Sequence, residues 1–201
     1  MKNIDKNGFL EIKRKLLHII LGIIGLFLLI FNIVTPFIIF IILITGIFVS
    51  LLSIKFKIPI ISFFLNNFDR HKDKIKLPGR GIIFAVAGSL LVLELFPRDI
   101  ALASISILIF ADPISHLIGR FLGKTKSLIN NNKNIEGNIA GALVSSLIAM
   151  FFVPFCYAIA GALTAMLFEL LVIKIQDIQL DDNLIIPLSA GTIMYLMQIL
   201  I

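Results

Sequence analysis

The chain has 201 residues, of which 59% are hydrophobic and only 15% charged, and its mean hydropathy is +1.05. A soluble domain of this size cannot bury so much apolar surface, which excludes an ordinary soluble fold and leaves a polytopic membrane protein. The net charge of +6 does not point to nucleic acid either, because the basic residues fall in short clusters between apolar runs, the pattern expected of membrane topology. A single cysteine, Cys156, excludes a disulfide within the chain, and no Cys/His spacing suggests zinc.

The expected fold is all-α: a transmembrane helical bundle of about seven helices in one integral membrane domain, 1–201. Between Leu16 and Ile54 the one ionisable side chain is His18. At about 1.5 Å per residue this stretch is long enough to cross a roughly 30 Å hydrocarbon core almost twice. Asn32, Thr35 and Pro36 interrupt it, so it reads as a tight hairpin of helices over 16–31 and 34–54. Lys13, Arg14 and Lys15 precede the run, but its length and the lack of a small-residue cleavage site make it a retained span. Helices over 81–96 and 99–115 follow, both short for full spans, and then helices over 137–154, 156–173 and 184–200. Gly137 and Gly141, like Gly161 and Ala165, recur at the spacing that lets helices approach closely in lipid.

With the N terminus placed in the cytoplasm, alternating spans put 17 of the 18 Lys and Arg residues inside, among them Lys2, Lys57, Arg70, Lys72, Lys74, Lys76 and Lys174. Arg98 alone falls outside. That asymmetry obeys the positive-inside rule. The longest polar stretches, 66–80 and 119–136, become inner loops.

Four polar clusters then share the inner face. Glu11, Arg14, Lys15 and His18 lie on one helical face by their spacing; by spacing alone the leading account is structural, a Glu11 to Lys15 surface pair, positive-inside anchors and an interfacial histidine. Asp112 ends the apolar run 100–110, where a carboxylate is costly unless paired, hydrated or holding a metal; pairing with Arg120 or helix capping is the structural alternative. Gly119, Arg120, Gly123 and Lys124 look like a phosphate-binding P-loop but fall one residue short of its spacing and follow no strand. Glycine amides and a basic side chain remain able to bind phosphate there. Glu136 opens the fifth helix beside Gly137, where a carboxylate also suits the helix dipole. Asp181, Asp182 and Asn183 open the last helix, with Glu169 near the inner end of the sixth. They offer hard oxygen ligands suited to magnesium, or equally a helix cap. Glu94 and Arg98 read as a structural pair at the outer end.

These stretches, in this order, resemble the polyprenol kinase family, which includes dolichol kinase, phytol kinase and the CTP-dependent diacylglycerol kinase. The matching words are Glu11 to His18, Phe110 to Pro113 with Gly119 to Lys124, Ile135 to Gly137 with Gly141, and Asp181 to Ser189. Arg80-Gly81 and the Leu95 to Pro97 turn fall in matching places. Pro113 and His116 depart from the small residues expected after the aspartate. The resemblance implies an integral, multi-pass membrane enzyme whose active site faces the cytoplasm, in a cell membrane or an internal membrane. It implies transfer of the γ-phosphate of CTP to the hydroxyl of a lipid alcohol with a divalent metal, Mg2+. Carried over by position, Asp112, Glu136, Asp182 and Asn183 become metal ligands. Gly119, Arg120, Gly123, Lys124 and Gly137 form the nucleotide loop, and Arg14, Lys15 and His18 contact phosphate or headgroup. Asp112, with His18 as substitute, would orient or deprotonate the hydroxyl. The rival readings are a CTP-dependent lipid cytidylyltransferase and, in another class, a small membrane transporter.

Overall fold

A computed structural model describes residues 6–56, 59–69, 77–131, 133–171, 174–175 and 178–200. Among these, eight helices form a membrane bundle: α1 (Lys6–Ile30), α2 (Pro36–Lys55), α3 (Pro59–Phe68), α4 (Arg80–Leu95), α5 (Arg98–Phe121), α6 (Ile135–Ala149), α7 (Phe155–Leu170) and α8 (Asp182–Leu200). A two-residue antiparallel pair, β1 (Lys174–Ile175) and β2 (Ile178–Gln179), joins α7 to α8.

The seven expected helices are all present, with shifted ends. The turn between α1 and α2 falls where Asn32, Thr35 and Pro36 break the apolar run. Asn32 takes a left-handed backbone (φ 55°), which a short polar side chain tolerates. Thr35 caps α2 by accepting from the Ile38 amide, and Pro36 occupies its first turn. Two features depart from expectation. Helix α3 lies where a loop was expected; its packing against α1 supplies what ten residues cannot supply by propensity. Helix α5 is not short: it runs through Pro113 to Phe121. Proline removes one backbone donor, and neighbouring helices clamp the segment on several sides.

By length and hydropathy α2, α5 and α8 are able to cross a membrane, and α6 and α7 are shorter apolar helices. Helix α2 is apolar all round with 11% of its best window buried, so nearly its whole circumference is left to lipid. Phe27, Phe37, Phe40 and Phe48 are likewise exposed on α1 and α2. Helix α5 is the opposite case. Fifteen of its 24 residues are buried, and it packs against α1, α4, α6, α7 and α8.

Its two sides differ. Toward α6, α7 and α8 the core is rich in small residues, including Ala103, Ala111, Ala142, Ala158, Ala162 and Ala165. Toward α1, α2 and α4 it is built from Leu26, Leu29, Ile39, Leu102, Ile105 and Ile109. The small-residue side brings backbones together. A Cβ on Gly137 would strike the Ser115 carbonyl oxygen, and one on Gly141 would stand 2.8 Å from that of Ala111. Pro113 and Pro187 sit buried within α5 and α8. The Asn183 carbonyl, which Pro187 cannot engage, faces Gly88 of α4 at a distance that excludes any side chain.

Arg98, at the start of α5, donates from Nη2 to the carbonyls of Leu29 and Ile30. It thus satisfies the C-terminal end of α1, where sequence had set it against Glu94. This contact fixes the direction of the bundle. The start of α5 meets the end of α1, so the start of α1, the end of α5, the starts of α4, α6 and α8 and the end of α7 share the other end. The described basic residues of the expected inner set, from Lys13 to Lys133, lie at that end. Lys2, Lys57, Arg70, Lys72, Lys74 and Lys76 fall outside the described residues.

Replacing Gly137 with alanine should force α5 and α6 apart at a cost of about 1–3 kcal/mol, read as a lowered Tm in detergent. Gly46→Ala, on a site where a Cβ meets nothing within 4 Å, should leave Tm unchanged or raise it.

Candidate active site at the polar end

Three carboxylates from three helices converge at this end. One oxygen each from Asp112 of α5, Glu169 of α7 and Asp182 of α8 lie within 4.8 Å of one another. Asp112 and Glu169 are 4% and 2% exposed, and charges so deep are held by partners. Lys15 of α1 donates to Asp112 Oδ2 at 2.5 Å. Lys133, from the loop before α6, donates to Glu169 Oε1 at 2.9 Å, to Asp182 Oδ2 at 2.8 Å and to the Glu169 carbonyl at 2.6 Å. Ser115 and Asn138 donate to the same Glu169 carboxylate at 3.2 Å. Burial works against the charge on Lys133, but the Glu169 and Asp182 carboxylates more than offset it and raise its pKa.

A second layer orders the start of α8. Arg80 donates to Asp181 Oδ2 at 3.1 Å, and Asn183 donates from Nδ2 to Asp181 Oδ1 and to the Gly81 carbonyl. Burial pushes the Asp181 carboxyl up from its ordinary value, against the Asn183 amide and Arg80, which pull it down. Asn183 Oδ1 and His18 Nε2 are buried atoms without a hydrogen-bond partner among the described residues.

The cluster closes one end of a cavity of 490 Å3. Arg14, Lys15, His18, Asp112, His116 and Asp182 line its polar end, and Leu21, Leu28, Leu29, Ile39, Ile42 and Ile105 line its apolar arm. The spacing on α1 explains this: residues 14, 18, 21, 25 and 28 form one helical stripe, polar at its start and apolar beyond.

The structure therefore brings together Arg14, Lys15, His18, Asp112, Asp182 and Asn183 around this cavity. It does not bring Glu136 into the carboxylate cluster. Glu136 Oε1 accepts the amides of Lys124 and Thr125 at 3.1 and 2.9 Å, so this side chain holds the glycine loop. Gly119, Gly123 and Gly137 are packing positions between α5 and α6: a Cβ on Gly123 would strike the Gly119 carbonyl and Asn134. Asn134 in turn donates to that same carbonyl. Arg120 and Lys124 are exposed beside the loop. Asp112 is paired with Lys15, where sequence had offered Arg120.

Sequence reasoning missed Lys133, Ser115 and Asn138 as members of the site, and placed Glu169 near the cluster without giving it a ligand's role. A glutamate within the apolar segment 155–170 was the available signal, since such a charge demands partners. Lys133 left none, being one of several basic loop residues.

The donor set fits a hard divalent cation: three carboxylates against two ammonium groups leave a formal excess of one negative charge, and hard oxygen ligands suit magnesium. Among the described residues, Asp112, Glu169 and Asp182 are the ones with that geometry.

An uncharacterized protein of Methanocaldococcus jannaschii is 33% identical to this chain over an alignment of 182 residues, and the match covers 88% of each chain. The chain belongs to the same family as this archaeal protein. It is also similar to CTP-dependent diacylglycerol kinase 1 of Schizosaccharomyces pombe, at 29% identity over 147 residues. That similarity covers 63% of this chain and spans 64% of the length of the kinase. No protein-family model and no solved structure matches the chain.

Lys133→Met should lower stability by about 3–5 kcal/mol by leaving Glu169 buried without its cation. Adding Glu169→Gln should recover a large part of that loss, with a coupling of about 0.5–3 kcal/mol between the two sites. Thermal or denaturant unfolding of the four proteins in detergent measures it.

Proposed function

We propose that this protein is a CTP-dependent lipid kinase that transfers the γ-phosphate of CTP to the hydroxyl of a membrane lipid alcohol, a polyprenol-type alcohol or diacylglycerol. The observation that carries the reading is one cavity that joins a buried acid and lysine cluster to an apolar arm within a membrane bundle. An acceptor with a long tail and one polar end matches that polarity. The similarity to a CTP-dependent diacylglycerol kinase supports the choice of nucleotide. A midplane ion site, which a transporter with broken helices uses, matches it less well, because the charged groups sit at one end of the bundle.

The acceptor hydroxyl lies beside Asp112 and His18 and attacks the terminal phosphorus in line, with CDP leaving. Such transfers ask little covalent work of the protein, so position and charge dominate. A magnesium ion held by Asp112, Glu169 and Asp182 would supply neutralisation of the phosphate oxygens. Lys15 fixes the Asp112 carboxylate through Oδ2. Asp112 orients the hydroxyl and takes its proton, and His18, with Nε2 unengaged, stands as the second acceptor. Lys133, Arg120 and Lys124 contribute positive charge for the phosphates, and the amides of the loop from Gly119 to Thr125 stand beside them, ordered by Glu136. The site faces the cytoplasm, where CTP is available, in accordance with the basic residues gathered at that end.

Purified protein supplied with lipid alcohols should move label from γ-labelled CTP into lipid. Label from α-labelled CTP in lipid, with release of pyrophosphate, would overturn the kinase reading in favour of a cytidylyltransferase. Asp112→Asn should lower the transfer rate by about 100-fold or more in folded protein, and chelation of divalent ions should abolish transfer until magnesium is restored.

A further inference from the structure

Consecutive helices joined by a tight turn ordinarily pack along their length as a hairpin. Helices α1 and α2 do not. Helix α1 lies along α5 and touches α3, while α2 lies along α4, and among the described residues α1 and α2 share no extended contact beyond their turn. The apolar arm of the cavity fills the gap between them. At its far end the turn from α1 into α2 forms the floor: the amides of Ile33 and Val34 both donate to the Leu28 carbonyl, and Arg98 holds the last carbonyls of α1. Leu29, Val34 and Ile39 line that floor. The flank between α1 and α2 is lined by Leu21, Leu28 and Ile42 and borders the lipid-facing surfaces of both helices.

Gly25 lies midway along this arm. It lines the cavity, and a Cβ built on it meets nothing within 4 Å. Gly22, one turn earlier, behaves differently, since its Cβ would stand 2.6 Å from Ile109. Gly22 therefore seats α1 on α5, whereas the missing side chain at Gly25 keeps the arm open.

We infer that the gap between α1 and α2 is a closed-ended slot that receives one hydrocarbon chain sideways from the bilayer and measures its length, with Gly25 the residue that sets its usable depth. This rests on the lipid kinase reading for the headgroup end. From His18 to Leu29 the slot runs about 16 Å, and from Lys15 about 21 Å, by the rise of α1. An extended chain of roughly 12–16 carbons occupies that depth. At 490 Å3 the cavity lies within the range of about 300–1,000 Å3 usual for sites that enclose one small ligand. The acceptor class is accordingly a single-chain alcohol, or a lipid that inserts one of its chains and leaves the rest in the membrane.

The test compares wild type, Gly25→Ala and Gly25→Leu. Each is assayed for γ-phosphate transfer to straight-chain alcohols of about 8 and about 16 carbons, and for photolabelling, without nucleotide, by the longer alcohol carrying a diazirine at its chain end. In wild type the label should fall on Leu29, Val34 or Ile39. Gly25→Leu should abolish labelling there and lower kcat/KM for the longer alcohol by roughly tenfold or more relative to the shorter, with Gly25→Ala between. An equal change for both alcohols, or label placed on other surfaces in wild type, overturns the slot. Label at the floor without any phosphate transfer by wild type supports the slot and overturns the kinase reading instead.

Discussion

The constraint on which this structure turns is the cost of holding charge inside an apolar bundle. Asp112 and Glu169 are almost wholly buried, and neither survives there as an isolated anion. Lys15 answers the first and Lys133 the second, each reaching from a different part of the chain. Because Lys133 also engages Asp182, one loop residue ties α7 to α8, and one residue of α1 ties that helix to α5. Removing either cation would leave a buried carboxylate, a far larger loss than a surface ion pair represents. The network is thus the fastening of the polar end.

Helix α5 makes that arrangement possible by having two unlike sides. Alanines and serines toward α6, α7 and α8 allow backbones to meet, and Gly137 and Gly141 complete the approach. Serines buried on this helix return their hydroxyls to its own carbonyls, as Ser104 does to Ile100 and Ser106 to Ala103, so they add no unsatisfied polarity. On the other side Ile105 and Ile109 meet larger aliphatic residues and leave room for the cavity. One side of the helix is therefore closely packed, and the other borders the cavity.

The glycine loop and the acid cluster divide the work of the polar end. Glu136 spends its carboxylate on backbone amides of the loop, which orders a segment of glycine and basic residues without adding negative charge to the cluster. Lys133, at the base of the same loop, links it to Glu169 and Asp182.

Much of this was legible in the residues. Apolar runs and basic clusters determined the helices and the end at which the charges gather, because both follow from local composition acting against a bilayer. The spacing of Arg14, Lys15 and His18 fixed their common face, and Gly137-x-x-x-Gly141 its close contact, because helical period is a property of the chain itself. Other features waited on the tertiary structure. That Glu169 and not Glu136 stands with Asp112 and Asp182, that Lys133 answers two of them, and that α1 and α2 share no extended contact beside a cavity lined by Gly25 are outcomes of packing among distant segments. A sequence states which groups are costly to bury; only the assembled helices decide which partner meets each of them.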